Sequence, residues 1–137
     1  MMDYRELYKI AKEAAKNAYA PYSRFRVGAA LLTAGGKVYT GVNVENASYS
    51  AGICAERTAF VKAISEGERE FAAIAVDAGN APAVPCGICR QFMAEFAPNI
   101  DVITGPMKED EAGGGLRVRP LSQLLPEAFA LQTEQPE

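Results

Sequence analysis

The stretch FAAIAVDAGNAPAVPCGICRQFMAEFAPNIDVIT, residues 71–104, decides how this chain folds. Residues 71–76 are a short continuous apolar run, the pattern of a strand covered on both faces by helices, and so belong at the middle of a sheet. Residues 82–85, bounded by Pro82 and Pro85, read as a loop. Residues 87–96 then read as a helix whose first turn carries Cys86 and Cys89, and residues 101–104 (DVIT) as the next strand. Strand, helix and strand in succession place the chain in the α/β class.

Working outward, residues 55–66 have helix formers with apolar spacing at Ala59, Phe60, Ala63 and Ile64, closing at Gly67. Upstream, residues 25–33 and 37–43, joined through Ala34, Gly35 and Gly36, read as a hairpin. Residues 3–18 read as one amphipathic helix, with Leu7, Ile10, Ala11, Ala14 and Ala18 between charges, ended by Pro21. Downstream, residues 105–115 are charged, glycine-rich and too short for a helical crossover, so residues 116–119 return antiparallel beside strand four. A mixed five-stranded sheet is the expectation. Residues 121–130 hold a short helical turn with Leu124, Leu125 and Phe129, and the last seven residues are polar enough to fray.

With 137 residues, 49% of them hydrophobic and 23% charged, one soluble domain spanning the whole chain is expected. The formal net charge of -3 disfavours wrapping a polynucleotide and favours a small neutral substrate. The first residues lack the apolar core of a signal peptide and no apolar run approaches a membrane span, so the cytoplasm is the expected compartment, without membrane or nucleic-acid partners.

Cysteine carries the chemical information. There are three, Cys54, Cys86 and Cys89, and no histidine. An odd count argues against a disulfide framework, and the absence of histidine excludes triad hydrolysis and His-rich metal sites. By itself Cys86-Gly-Ile-Cys89 suits a metal site, a redox dithiol or a pair of buried small hydrophobes. Cys54 changes that balance. It too sits at a predicted helix start, with Glu56 two residues on, giving C-A-E upstream and P-C-x-x-C downstream, the pattern of zinc deaminases in their three-cysteine form. Three protein ligands with no possible fourth cysteine or histidine leave a tetrahedral zinc one open position, the mark of a catalytic rather than a structural ion. Zinc with three thiolates carries a formal charge of -1, which two helix N-termini and Arg57 can offset. Glu56 is then the candidate acid/base, against the alternative of a solvated first-turn glutamate.

The chain resembles the small free-nucleoside cytidine deaminases through four ordered blocks: APYSRFRVGAAL (20–31), TGVNVENASYSAGICAERTA (40–59), PCGICRQFMAEF (85–96) and LLPEAF (124–129). The resemblance implies a three-layer α/β/α fold, one Zn²⁺ per subunit, hydrolysis of cytidine or deoxycytidine to uridine or deoxyuridine plus ammonia in pyrimidine salvage, and a homotetramer with sites at subunit contacts. It implies Cys54, Cys86 and Cys89 as zinc ligands, Glu56 as the catalytic acid/base and Arg57 as the thiolate-neutralising cation. It further implies Asn43 and Glu45 as the ribose-binding pair, Phe25 against the pyrimidine face, the Ala55 backbone at the base, and Tyr49 and Phe129 reaching a neighbouring subunit's site. A polar loop is the competing reading for Asn43 and Glu45, and core packing for Phe25, Tyr49 and Phe129. Val42 departs from the family, standing where relatives often carry another cysteine, and the 106–115 connection is individual. Deaminases of blasticidin S share the same metal motifs.

Overall fold

The computed structural model describes residues 2–108 and 112–131. Helix α1 (Tyr4–Ala14), capped by the Asp3 carboxylate, tightens into a 3₁₀ turn before the hairpin β1 (Gly28–Thr33) and β2 (Val38–Val42). Helix α2 (Ala55–Ser65), strand β3 (Phe71–Asp77), helix α3 (Gly87–Phe96) and strand β4 (Asp101–Thr104) follow. Strand β5 (Arg117–Pro120) and the short helix α4 (Leu121–Leu124) complete the fold. The five strands lie in the order β2-β1-β3-β4-β5, with β3 and β4 parallel and every other neighbour antiparallel. The run at 71–76 is therefore the central strand, and the 105–115 connection does return β5 antiparallel to β4.

Side-chain alternation along the strands divides the interior into two layers. Ala30, Leu32, Ala73, Ala75 and Ile103 face α1 through Leu7, Tyr8 and Ala11. Ala29, Leu31, Ile74, Val76 and Val102 face the opposite way, against Ala55, Ala59, Phe60 and Ala63 of α2 and Cys89 and Met93 of α3. This is a three-layer α/β/α arrangement. Phe60 anchors the second layer, its ring centroid 4.9 Å from that of Phe71 and 6.2 Å from that of Phe96. Among the described residues no helix is long and apolar enough to cross a membrane.

The start of β1 differs from the sequence expectation for a local reason. Strand β1 starts at Gly28 rather than at residue 25, because a side chain takes over the ladder there: Asn43 Oδ1 accepts from Val27 N–H at 2.9 Å and Asn43 Nδ2 donates to the Phe25 carbonyl at 2.7 Å. The short helical turn expected within residues 121–130 is α4, and it stops at Leu124 because the residue before a proline is pushed out of helical geometry: Leu125, preceding Pro126, has φ -140° and ψ 71°. The expectation that the last seven residues fray falls mostly on residues 132–137, outside the described residues.

The approach of β2 to α2 is close enough to require glycine. A Cβ at Gly41 would sit 2.3 Å from the Ala55 carbonyl oxygen and 2.4 Å from Ala59 N, within the turn that follows Cys54. Gly41→Ala is expected to lower unfolding stability in urea by about 1–3 kcal/mol, the cost of overpacking a tight contact. An unchanged midpoint would show that α2 is free to shift away from the sheet.

Candidate metal centre and active site

Both helices that face the second core layer begin with a cysteine. Cys54 is the N-cap of α2 and Cys86 the N-cap of α3, each in extended geometry, and neither uses its side chain to cap its own helix. The sulfurs are left free to point elsewhere. Cys89, one turn into α3 and fully buried, completes the group. The three sulfurs all lie within 4.8 Å of one another, and Cys54 Sγ is 3.9 Å from Cys86 Sγ. A disulfide needs about 2.05 Å between sulfurs. Two sulfurs bound at about 2.3 Å to one tetrahedral zinc stand about 3.8 Å apart. The spacing is that of a shared ion, and the three cysteines are free thiols.

The electrostatics favour thiolate. Two helix N-termini converge on the sulfurs, each carrying about half a positive charge. Arg57 Nη2 lies 3.7 Å from Cys54 Sγ, while Arg57 Nε is buried with no hydrogen-bond partner among the described residues. The Cys54 thiol is pushed down to about 5, chiefly by the hydrogen bond from Cys89 and against the penalty of burial, with Arg57 and Cys86 adding to the effect. Cys89 is driven upward as the partner that keeps the proton. Glu56, only 5% exposed, is no solvated first-turn glutamate. Burial pushes its carboxyl up to about 7, and the neighbouring Cys54 thiolate pushes in the same direction.

Two adjoining cavities meet at this point, sharing Asn43 and Cys54. The smaller, about 220 Å³, is lined by Phe25, Asn43, Cys54, Ala55, Glu56 and Cys86 together with apolar residues of the 76–84 segment. The larger, about 650 Å³, is lined by Glu45, Tyr49 and Arg57 among others. Nine of the sequence-derived candidates thus reach one cavity or the other, and Cys89 lies buried beside them. Phe129 does not: it lines neither cavity, is 67% exposed, and is tied to α3 through its carbonyl, which accepts from Gln91 Nε2 at 2.9 Å. Core packing is excluded for Phe25 and Tyr49 as well, which are 48% and 85% exposed.

Sequence reasoning passed over two residues. Arg90 donates from Nε to the Pro85 carbonyl at 2.7 Å and from Nη1 to the Leu124 carbonyl at 2.8 Å, fixing the backbone just before Cys86. Ser23 donates its hydroxyl to Glu45 Oε2 and accepts from the Phe25 N–H at 3.0 Å. Neither contact has a periodic or motif signature beyond membership of the matching blocks.

A family model described as the cytidine and deoxycytidylate deaminase zinc-binding region matches residues 1–104. The chain is 49% identical over 133 residues to a cytidine deaminase of Halalkalibacterium halodurans, covering 96% of this chain and 97% of that one. Among solved structures it is similar to cytidine deaminase from Burkholderia pseudomallei, at 49% identity and a TM-score of 0.85 over 93% of this chain and all (100%) of that one. It is similar also to cytidine deaminase from Mycobacterium tuberculosis, at 39% identity and a TM-score of 0.81 over 96% of this chain and 100% of that one. Zinc is the metal of the matched region, and the three-sulfur cluster of this chain fits one such ion.

Removing one sulfur tests that fit. Cys89→Ser is expected to bring zinc in the purified protein from about one ion per chain to well below half, by elemental analysis, because a buried hydroxyl is a poor replacement for a thiolate. Full zinc content in the variant would take Cys89 out of the site.

Proposed function

The chain belongs to the cytidine and deoxycytidylate deaminase family, and from that premise we propose that it hydrolyses cytidine and deoxycytidine to uridine and deoxyuridine with release of ammonia, in pyrimidine salvage. The observation that carries the reading is the buried Glu56 carboxyl beside three convergent sulfurs, in a cavity also lined by Phe25 and Asn43.

Cys54, Cys86 and Cys89 would hold the zinc. When bound, zinc supplies Lewis acidity that lets water act as a nucleophile near neutral pH. Glu56 takes a proton from the attacking water, delivers it to ring N3, and later transfers the second proton to the departing amine. Water thus adds at C4, the C4–N bond breaks, and ammonia leaves. A carboxyl raised to about 7 suits both halves of this exchange, since it gives and takes protons near neutrality. Arg57 offsets the charge of the thiolates.

Phe25 lies against the pyrimidine face, the Ala55 backbone meets the base, and Asn43 with Glu45 holds the 3′-hydroxyl of the sugar. Tyr49 and Phe129, both largely exposed, reach the site of a neighbouring subunit in a homotetramer. The net charge of -3 supports a free nucleoside over a polynucleotide. The whole chain acts as one domain, in the cytoplasm.

Glu56→Gln is expected to retain zinc while kcat for cytidine falls by at least about 10²-fold, the low end for loss of a general acid/base. Loss of the aminopyrimidine absorbance follows the reaction. Turnover at the wild-type rate in this variant would remove Glu56 from the chemistry, and a wild-type protein active on blasticidin S but not on cytidine would replace the substrate.

A further inference from the structure

The loop that carries Phe25 is organised by one hydroxyl. Ser23 Oγ donates to Glu45 Oε2 and accepts from the Phe25 N–H at 3.0 Å, so it stands between the residue assigned to the sugar and the residue assigned to the base. The other oxygen of the same carboxylate, Oε1, accepts from the N–H groups of Tyr22 at 2.9 Å and Ser23 at 3.2 Å. Between Ser23 and Phe25 the chain passes through Arg24 at φ 60°, a left-handed conformation that a residue with a Cβ adopts only when its surroundings demand it. The hydrogen bond from Ser23 is also the first cause holding the Glu45 carboxyl below its ordinary value, so the group is an anion with acceptor capacity only.

Counting what remains open gives the loop a purpose. An ionised carboxylate has about four acceptor directions, of which the loop takes three. Asn43 uses Oδ1 on Val27 N–H and one Nδ2 hydrogen on the Phe25 carbonyl, which leaves the other Nδ2 hydrogen free. One acceptor direction on Glu45 and one donor on Asn43 together complement a single hydroxyl, which can give one hydrogen bond and take another. We infer that Ser23 is a positioning residue that fixes the last open acceptor direction of Glu45 toward a sugar hydroxyl, and thereby ties ribose selection to the placement of Phe25. This rests on the proposed role of Glu45 and Asn43 at the 3′-hydroxyl. Ser23 touches no reacting atom; it acts through its two neighbours.

The two arms of Ser23 are separable by substrate. Loss of Phe25 placement affects every pyrimidine nucleoside alike, whereas loss of Glu45 alignment affects only those with a 3′-hydroxyl to bind. Steady-state kinetics of wild type, Ser23→Ala and Ser23→Thr are compared on cytidine and on 2′,3′-dideoxycytidine. Ser23 is exposed, so neither substitution disturbs a core. In Ser23→Ala, KM for cytidine is expected to rise about tenfold with kcat within about twofold, the size of one hydrogen bond to a charged group. The dideoxy analogue loses less than cytidine, only through Phe25, so the preference for cytidine in kcat/KM shrinks, and Ser23→Thr, which keeps the Oγ, restores it. An unchanged preference in Ser23→Ala, or an equal loss on both substrates, overturns the inference. A wild-type enzyme that processes both substrates equally well overturns the reading of Glu45 itself, a result distinct from either.

Discussion

Three sulfur atoms gathered at the starts of two helices are a concentration of negative charge that the fold must hold in place before any chemistry is possible. With all three ionised around a divalent metal the group remains an anion. The surroundings are built to accept it: the N-terminal ends of α2 and α3 point at the cluster, and Arg57 sets its guanidinium 3.7 Å from Cys54 Sγ. The same field acts on Glu56, where burial and the adjacent thiolate hold the carboxyl near neutrality instead of deep in its ionised range. An acid group and a metal-binding anion share one small volume because each tunes the other.

Sheet topology makes the convergence possible. The parallel pair β3 and β4 forces α3 to cross over the sheet, so that its first turn opens at the carboxyl ends of these strands, the edge where α/β sheets place their ligands. Helix α2 arrives at the same edge from the hairpin, pressed against β2 at Gly41, where no side chain intervenes. Phe60, fully buried among Phe71, Phe92 and Phe96, fastens α2 to its neighbours. Burial of a phenylalanine in such a cluster is worth about 3–5 kcal/mol against alanine. The rigid layers thus set the distances, and the site inherits them.

The parts legible in the sequence were those with a strong local signature. The apolar run at 71–76 had the pattern of a covered strand, and three cysteines in a chain without histidine left little choice of metal ligand. Helix starts at Cys54 and Cys86 followed from the residues around them, and with them the position of Glu56. What escaped were the hydrogen bonds that side chains make to groups far away in sequence. Asn43 substitutes for a stretch of β1 across 18 positions, and Ser23 meets Glu45 across 22, contacts that leave no periodicity behind. Phe129 matched a block of the sequence yet stands apart from both cavities.

The proposed chemistry needs one ion shared by three sulfurs, with a fourth corner left to water beside a carboxyl. Zinc K-edge X-ray absorption on the purified protein reads that coordination directly. Three sulfurs at about 2.3 Å and one oxygen at about 2.0 Å are the expected shell. A shell of four protein atoms, or a protein whose sulfurs bind no common metal, would contradict it.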